Sequence, residues 1–123
     1  WKILSTGGSL KERSSALIGS QAEECLERFH VDKAFISCKG VDAEHGFSDS
    51  SDAHAAGKRK MIAAASQVFF AVDSSKFGKL SFTSISGFSG VDAVITERCP
   101  NEEWNRIFIA NDIECLYPQG EQK

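Results

Sequence analysis

Val68-Phe69-Phe70-Ala71-Val72 is an unbroken apolar run with Ser66-Gln67 on one side and Asp73-Ser74-Ser75-Lys76 on the other. A half-exposed antiparallel strand alternates apolar and polar residues, whereas a strand of a parallel sheet covered on both faces is apolar throughout. Joining two parallel strands takes a crossover of about a dozen residues, usually a helix. This one stretch therefore asks for an α/β architecture before anything else is read.

The rest of the chain supplies matching pieces. Trp1 to Ser5 reads as a short strand ending in the turn signal Thr6-Gly7-Gly8. From about Glu12 to Phe29, Ala16, Leu17, Ala22, Cys25, Leu26 and Phe29 recur at helical spacing, with Gly19 as the weak point. Lys33 to Cys38 is a compact strand, and Gly40 to Ser51 a polar loop carrying glycines. A second, alanine-rich helix spans about Asp52 to Gln67, and Val68 to Val72 is the apolar strand. A weaker strand near Leu80 to Ile85 and another at Asp92 to Thr96 follow. Asn101 is an N-cap for a helix presenting Trp104, Ile107 and Phe108 on one face, and Ile113 to Tyr117 closes the series. Strands alternating with helices over 123 residues, with two prolines and no linker, predict one α/β domain with a mostly parallel sheet flanked by helices.

Composition bounds the function. A net charge of −3 leaves no basic surplus to hold a nucleic-acid backbone, so this segment by itself is not expected to bind DNA. No apolar run reaches the roughly 18 residues of a membrane span, and the first residues lack a signal-peptide layout, which predicts a soluble, intracellular chain. Cys25, Cys38, Cys99 and Cys115 are scattered without zinc spacing and are expected as reduced, packed thiols. The chain starts inside an apolar run without an initiator Met, which suggests a fragment of a longer protein.

In open α/β sheets ligands bind beyond the carboxyl ends of the strands, which singles out three stretches. Gly7 and Gly8 let the backbone turn sharply and aim N–H groups at an anion, although paired glycines after a strand often make only a turn. Asp42, Glu44, His45 and Asp49 could hold sugar hydroxyls, trade protons or bind a cation, but the calcium-loop pattern is absent and metal is discounted. Solvated loop charge is the alternative. Asp73-Ser74-Ser75-Lys76 is the most informative: a lysine binds phosphate as a point charge, serines donate to phosphate or sugar oxygens, and Asp73 can orient Lys76 or accept from a sugar. Lys58-Arg59-Lys60 reads as a solvated helix face from which Lys58 could add charge to the loops. His54, on the first turn of the same helix, reads as surface decoration. No P-loop, dinucleotide fingerprint or nucleophilic triad is present.

With these motifs in view, the chain resembles the effector-binding domain of the DeoR family of bacterial transcriptional regulators. The resemblance runs in order through ILSTGG, IGSQAEECL, DKAFISCKGVDAEHGFS, GKRKMIAAASQVFFAVDSSKFGKLSF and VDAVIT. The D-S-S-K-F-G loop, following its helix and strand, is the most specific of these. The resemblance implies a Rossmann-like α/β fold similar to ribose-5-phosphate isomerase, glucosamine-6-phosphate deaminase and CoA transferase. It implies a cytoplasmic, homo-oligomeric regulator, a repressor by family habit. That regulator binds a phosphorylated sugar without a cofactor and touches DNA only through an N-terminal winged helix-turn-helix that this sequence lacks. By carry-over Gly7, Gly8, Asp42, Gly46, Asp73 and Lys76 line the effector site, with Lys58 beside them. Two departures stand out: His54 occupies a position where the family commonly has glutamate, and the first strand–helix part of the domain, with its phosphate loop, is missing from this sequence. The alternative is a sugar-phosphate isomerase with Asp42 or Glu44 as base and Lys76 stabilising an enediolate, since GVDAE resembles a loop of ribose-5-phosphate isomerase.

Overall fold

In the computed structural model, residues 1–119 are described. Pairing begins with an antiparallel hairpin, β1 (Ser9–Lys11) and β2 (Ala16–Ile18), after which α1 (Ser20–Glu27) starts at once. The helix predicted over residues 12–29 is thus split, and the reason is Gly19. Its φ of +99° sets the helix start where an interior residue was expected, and Ala16 and Leu17 belong to a strand. Trp1 to Ser5 forms no strand: no edge pairs with it, and Trp1, Ile3 and Leu4 stand exposed.

β3 (Val31–Ile36) matches the expected strand. The polar stretch read as a loop contains a second hairpin, β4 (Gly40–Asp42) and β5 (Gly46–Asp49), whose short strands were hidden by their polar composition. α2 (Asp52–Ala64) is capped by Ser51, whose hydroxyl accepts from the His54 amide, and passes without a loop into β6 (Ala65–Ala71). Residues 65–67, expected in the helix, pair with β3 instead, in the register Val31–Ala65 and Lys33–Gln67. One 3-10 turn (Ser74–Lys76) follows β6. Then come β7 (Thr83–Ser86), starting three residues later than expected, β8 (Ala93–Ile95), α3 (Glu102–Ala110) and β9 (Glu114–Leu116). Asn101 caps α3 as its side chain foretold, accepting from the Trp104 amide at 3.0 Å.

β3, β6, β8 and β9 form a four-stranded parallel sheet in that order, and β4, β5 and β7 a separate antiparallel sheet. The α/β class, with a mostly parallel sheet and helices packed on it, is therefore as the apolar runs required. One continuous core joins Ala34, Ile36, Val68, Phe70 and Val94 of the parallel sheet to Ala55 of α2, Trp104 and Phe108 of α3 and Phe47 of β5. Phe47 stacks on Phe70 with ring centroids 3.9 Å apart. The opposite face of the sheet is only partly covered, with Phe35 59% exposed. β6 is thus buried on one face and open on the other, where the sequence called for burial on both.

Candidate functional site

The carboxyl ends of β3 and β6 bring two of the three expected stretches together. Asp73 caps the 3-10 turn by accepting from the Ser75 amide at 3.0 Å and from the Ser75 hydroxyl, and Lys76 Nζ lies 3.5 Å from its carboxylate. Those contacts hold the Asp73 carboxyl below its ordinary range, the Ser75 hydroxyl contributing most. The Gly78 amide donates to Val41 O at 2.8 Å, and Val41 pairs with Phe77, so the loop lies along β4. From the other side, Glu97 accepts from the Ser74 amide at 2.9 Å and Arg98 Nη2 donates to the Ser74 hydroxyl at 2.8 Å.

Lys58 reaches across from α2 to the end of β3. Its ammonium donates to Ser37 O at 2.8 Å and to Asp49 at 2.5 Å, and the Asp49 side chain is only 3% exposed. Burial pushes the Asp49 carboxyl up, but the hydrogen bond and charge of Lys58 outweigh it and hold the group below its ordinary value. Burial also lifts the Cys38 thiol to about 11, opposed by Lys58 and more weakly by Lys76. Both lysines therefore act on one neighbourhood.

A cavity of about 360 Å³ opens where the β1–β2 hairpin, the end of β3 and the first turns of α2 meet. Lys11, Arg13, Lys39 and His54 line it beside the Asp49–Lys58 pair. His54, read as surface decoration, is half-buried in this wall, with its Nε2 3.3 Å from the Ser14 hydroxyl. Burial, then Lys11, hold its pKa below the ordinary histidine value. The charge run Lys58-Arg59-Lys60 is likewise engaged rather than merely solvated, since Arg59 donates to Ser84 O and Lys60 pairs with Glu27 at 2.5 Å.

Of the seven residues that the resemblance implied for the effector site, only Lys58 lines this cavity, together with Asp49 from the carboxylates of the second stretch. Asp73 and Lys76 sit at the neighbouring strand end. Asp42 is taken up by its own hairpin, accepting from the Glu44 and His45 amides and from His45 Nδ1 at 2.8 Å, and its carboxyl is held low by these bonds, those of His45 first. A carboxylate so engaged is a weak proton acceptor, which counts against Asp42 as the base of an isomerase. Gly46 has a φ of +75°, and a Cβ there would fall 2.5 Å from Ser86 O, so its glycine is required by the approach of β7. Gly8 is pressed against Ile18 O and Ala22, and with Gly7 borders a shallow hollow on α1 rather than the cationic cavity. Lys11, Arg13 and Lys39 were missed in the sequence because each lies in a segment read for its turn or its apolar spacing. Only Lys39, directly after the strand expected at Lys33 to Cys38, stood beside an expected strand end.

A family model described as the DeoR C-terminal sensor domain matches residues 1–98. An uncharacterised HTH-type transcriptional regulator of Bacillus subtilis, YulB, is 42% identical over 77% of this chain and 37% of its own length. The HTH-type transcriptional repressor GlcR of the same organism is 35% identical over 98% of the chain and 46% of its own length. The L-fucose operon activator of Haemophilus influenzae is 31% identical over 79% of the chain and 39% of its own length. The chain spans less than half the length of these curated relatives.

Proposed function

Because the chain belongs to the family of DeoR C-terminal sensor domains, we propose that it is the ligand-sensing part of a sugar-responsive transcriptional regulator and not an enzyme. Its ligand is a phosphorylated sugar intermediate, bound at the carboxyl ends of β3 and β6, and its output is a change in operator affinity of an attached winged helix-turn-helix. The observation that carries this reading is the convergence of Lys58, Lys76 and a cation-lined cavity on one end of the parallel sheet, where open α/β sheets take their ligands. Asp73, held beside Lys76, accepts from sugar hydroxyls. The regulator acts as a cytoplasmic homo-oligomer and as a repressor, in keeping with the repressors among its relatives. A ligand can drive such a switch only through unequal affinity for two states of the domain.

The test is a thermal-shift titration of this chain against a panel of sugar phosphates, with the parent sugars as controls. A ligand at about 100 times its dissociation constant stabilises the fold by about 2.7 kcal/mol, which at about 2–8 °C per kcal/mol is a clear shift. The expected result is a shift with one sugar phosphate, absent with its parent sugar and reduced in Lys76→Ala. Turnover of ribose 5-phosphate abolished by Asp42→Asn would overturn the reading in favour of an isomerase.

A further inference from the structure

The cationic cavity has a charge imbalance that the protein itself does not resolve. Lys58 is neutralised by Asp49, but among the described residues none of Lys11, Arg13 and Lys39 makes an ion pair. Three unpaired cations around one concavity raise the local potential, and a small anion entering it would be drawn in and held. The first turn of α2 adds to the same field, since Ser50 and His54 bring the helix N-terminus to the cavity wall.

His54 is the group in this wall whose charge can change near neutral pH. The groups around it are Lys11 from β1, Arg13 and Ser14 from the hairpin turn, Ser37 and Lys39 after β3, Asp49 and Ser50 at the end of β5, Asp52 and Lys58 from its own helix and, across a second cavity on its other side, Glu23 of α1. Burial and the surrounding cations lower the pKa of the imidazole and so favour its neutral form, and Asp49, already paired with Lys58, opposes them only in part. An anion in the cavity reverses the sign of that environment. The imidazole then gains a favourable partner if it is protonated, and as a cation it can donate from both ring nitrogens.

We propose that the cavity walled by Lys11, Arg13, Ser14, Lys39 and His54 is the seat for the anionic group of the ligand, and that His54 takes up one proton from solvent as the anion enters. This rests on the sensor reading above for the identity of the ligand, but the seat itself is a property of the cavity. No covalent bond forms or breaks. The linkage has a definite sign: free His54 is held below its ordinary pKa, the bound anion raises it, and affinity therefore increases as pH falls through the neutral range.

The experiment uses inorganic sulfate, which stays dianionic throughout, so that only the protein titrates. The chain's three histidines are followed by NMR of their ring protons between pH 5 and 8, with His54 assigned through His54→Gln. Saturating sulfate should move the His54 midpoint upward by about one unit or more. A one-unit rise corresponds to as much as a tenfold gain in sulfate affinity across the titration. Arg13→Ser and Lys39→Ser, both at exposed positions, should each weaken sulfate. An unmoved His54 midpoint at saturating sulfate would overturn the proposal without reference to any variant. The same titration with sugar phosphates separates the two readings. A sugar phosphate that binds without moving His54 places the anion elsewhere, at Lys76, and leaves the sensor reading standing. A sulfate effect with no sugar phosphate bound keeps the seat and removes the sensor reading.

Discussion

Lys58 shows how a single side chain can be legible in a sequence while its task is not. Its position four residues after His54 and beside two other cations marked it as available charge, yet the structure ties it to the buried Asp49 and to Ser37 O. The partner could not be read because β5, which carries Asp49, is a short polar strand that composition disguises as loop. Breaking the pair from one side leaves an uncompensated charge, which costs about 3–5 kcal/mol for a fully buried pair and less for this part-buried one. Lys58→Met should therefore lower the melting temperature by about 2–8 °C for each of those kcal/mol. Asp49→Asn combined with Lys58→Met should recover much of the loss, and a double variant no more stable than Lys58→Met alone would show that the lysine stem matters more than its charge. The pH dependence follows from Asp49, whose folded carboxyl lies below its ordinary value of 3.8. The stabilisation is fully present above that value and disappears as pH falls through the lower, folded one. Thermal melts should be flat through neutral pH and drop in acid, with a smaller drop in the double variant.

The legible elements were those with a local signal, and the illegible ones depended on partners far along the chain. Asn101 before an apolar face gave α3, and the apolar run gave β6, because capping and periodicity act over a few residues. The boundary between α2 and β6 was misplaced because alanines suit a helix until pairing with β3 claims them. The Asp73–Gly78 loop carries both kinds of information: its polar chemistry was visible, but its clamp was not. Ser74 is held through its amide by Glu97 and through its hydroxyl by Arg98, from a segment 23 residues later. The contacts with Ser74, followed by that with its own backbone and last that with Thr96, bring the Glu97 carboxyl down to about 2. The clamp should accordingly persist well below the ordinary 4.5 of a glutamate and release only as pH approaches 2. The Ser74 amide resonance should report that low midpoint, and a midpoint near 4.5 would show that Glu97 does not hold the loop. Glu97→Ala should raise exchange at the Ser74 amide, with little change in overall stability for so exposed a site.

At the scale of the molecule, the order β3-β6-β8-β9 advances in one direction across the sheet. Parallel crossovers are right-handed in nearly all proteins, so successive steps in one direction place their connections on one face. That accounts for the single core uniting α2, α3 and β5 on the side of Ile36, Phe70 and Val94. It also accounts for the other side, where Phe35 stacks on Phe69 at 5.0 Å and Val31, Phe35 and Leu116 are 42%, 59% and 38% exposed. Among the described residues, β3 beside them pairs only with β6. A bare apolar face next to an unpaired strand edge is the arrangement that drives association between copies. In solutions of this chain alone, the mean mass by sedimentation should therefore rise with concentration. Phe35→Lys removes the most exposed aromatic of the face and sets a charge near the edge without entering the core on the opposite side. It should shift the distribution toward monomer and leave the far-ultraviolet circular dichroism unchanged. If wild type and Phe35→Lys sediment alike at every concentration, the face is not where copies meet. The unbroken apolar run of β6 asked for cover on both sides, and residues 1–119 provide it on one.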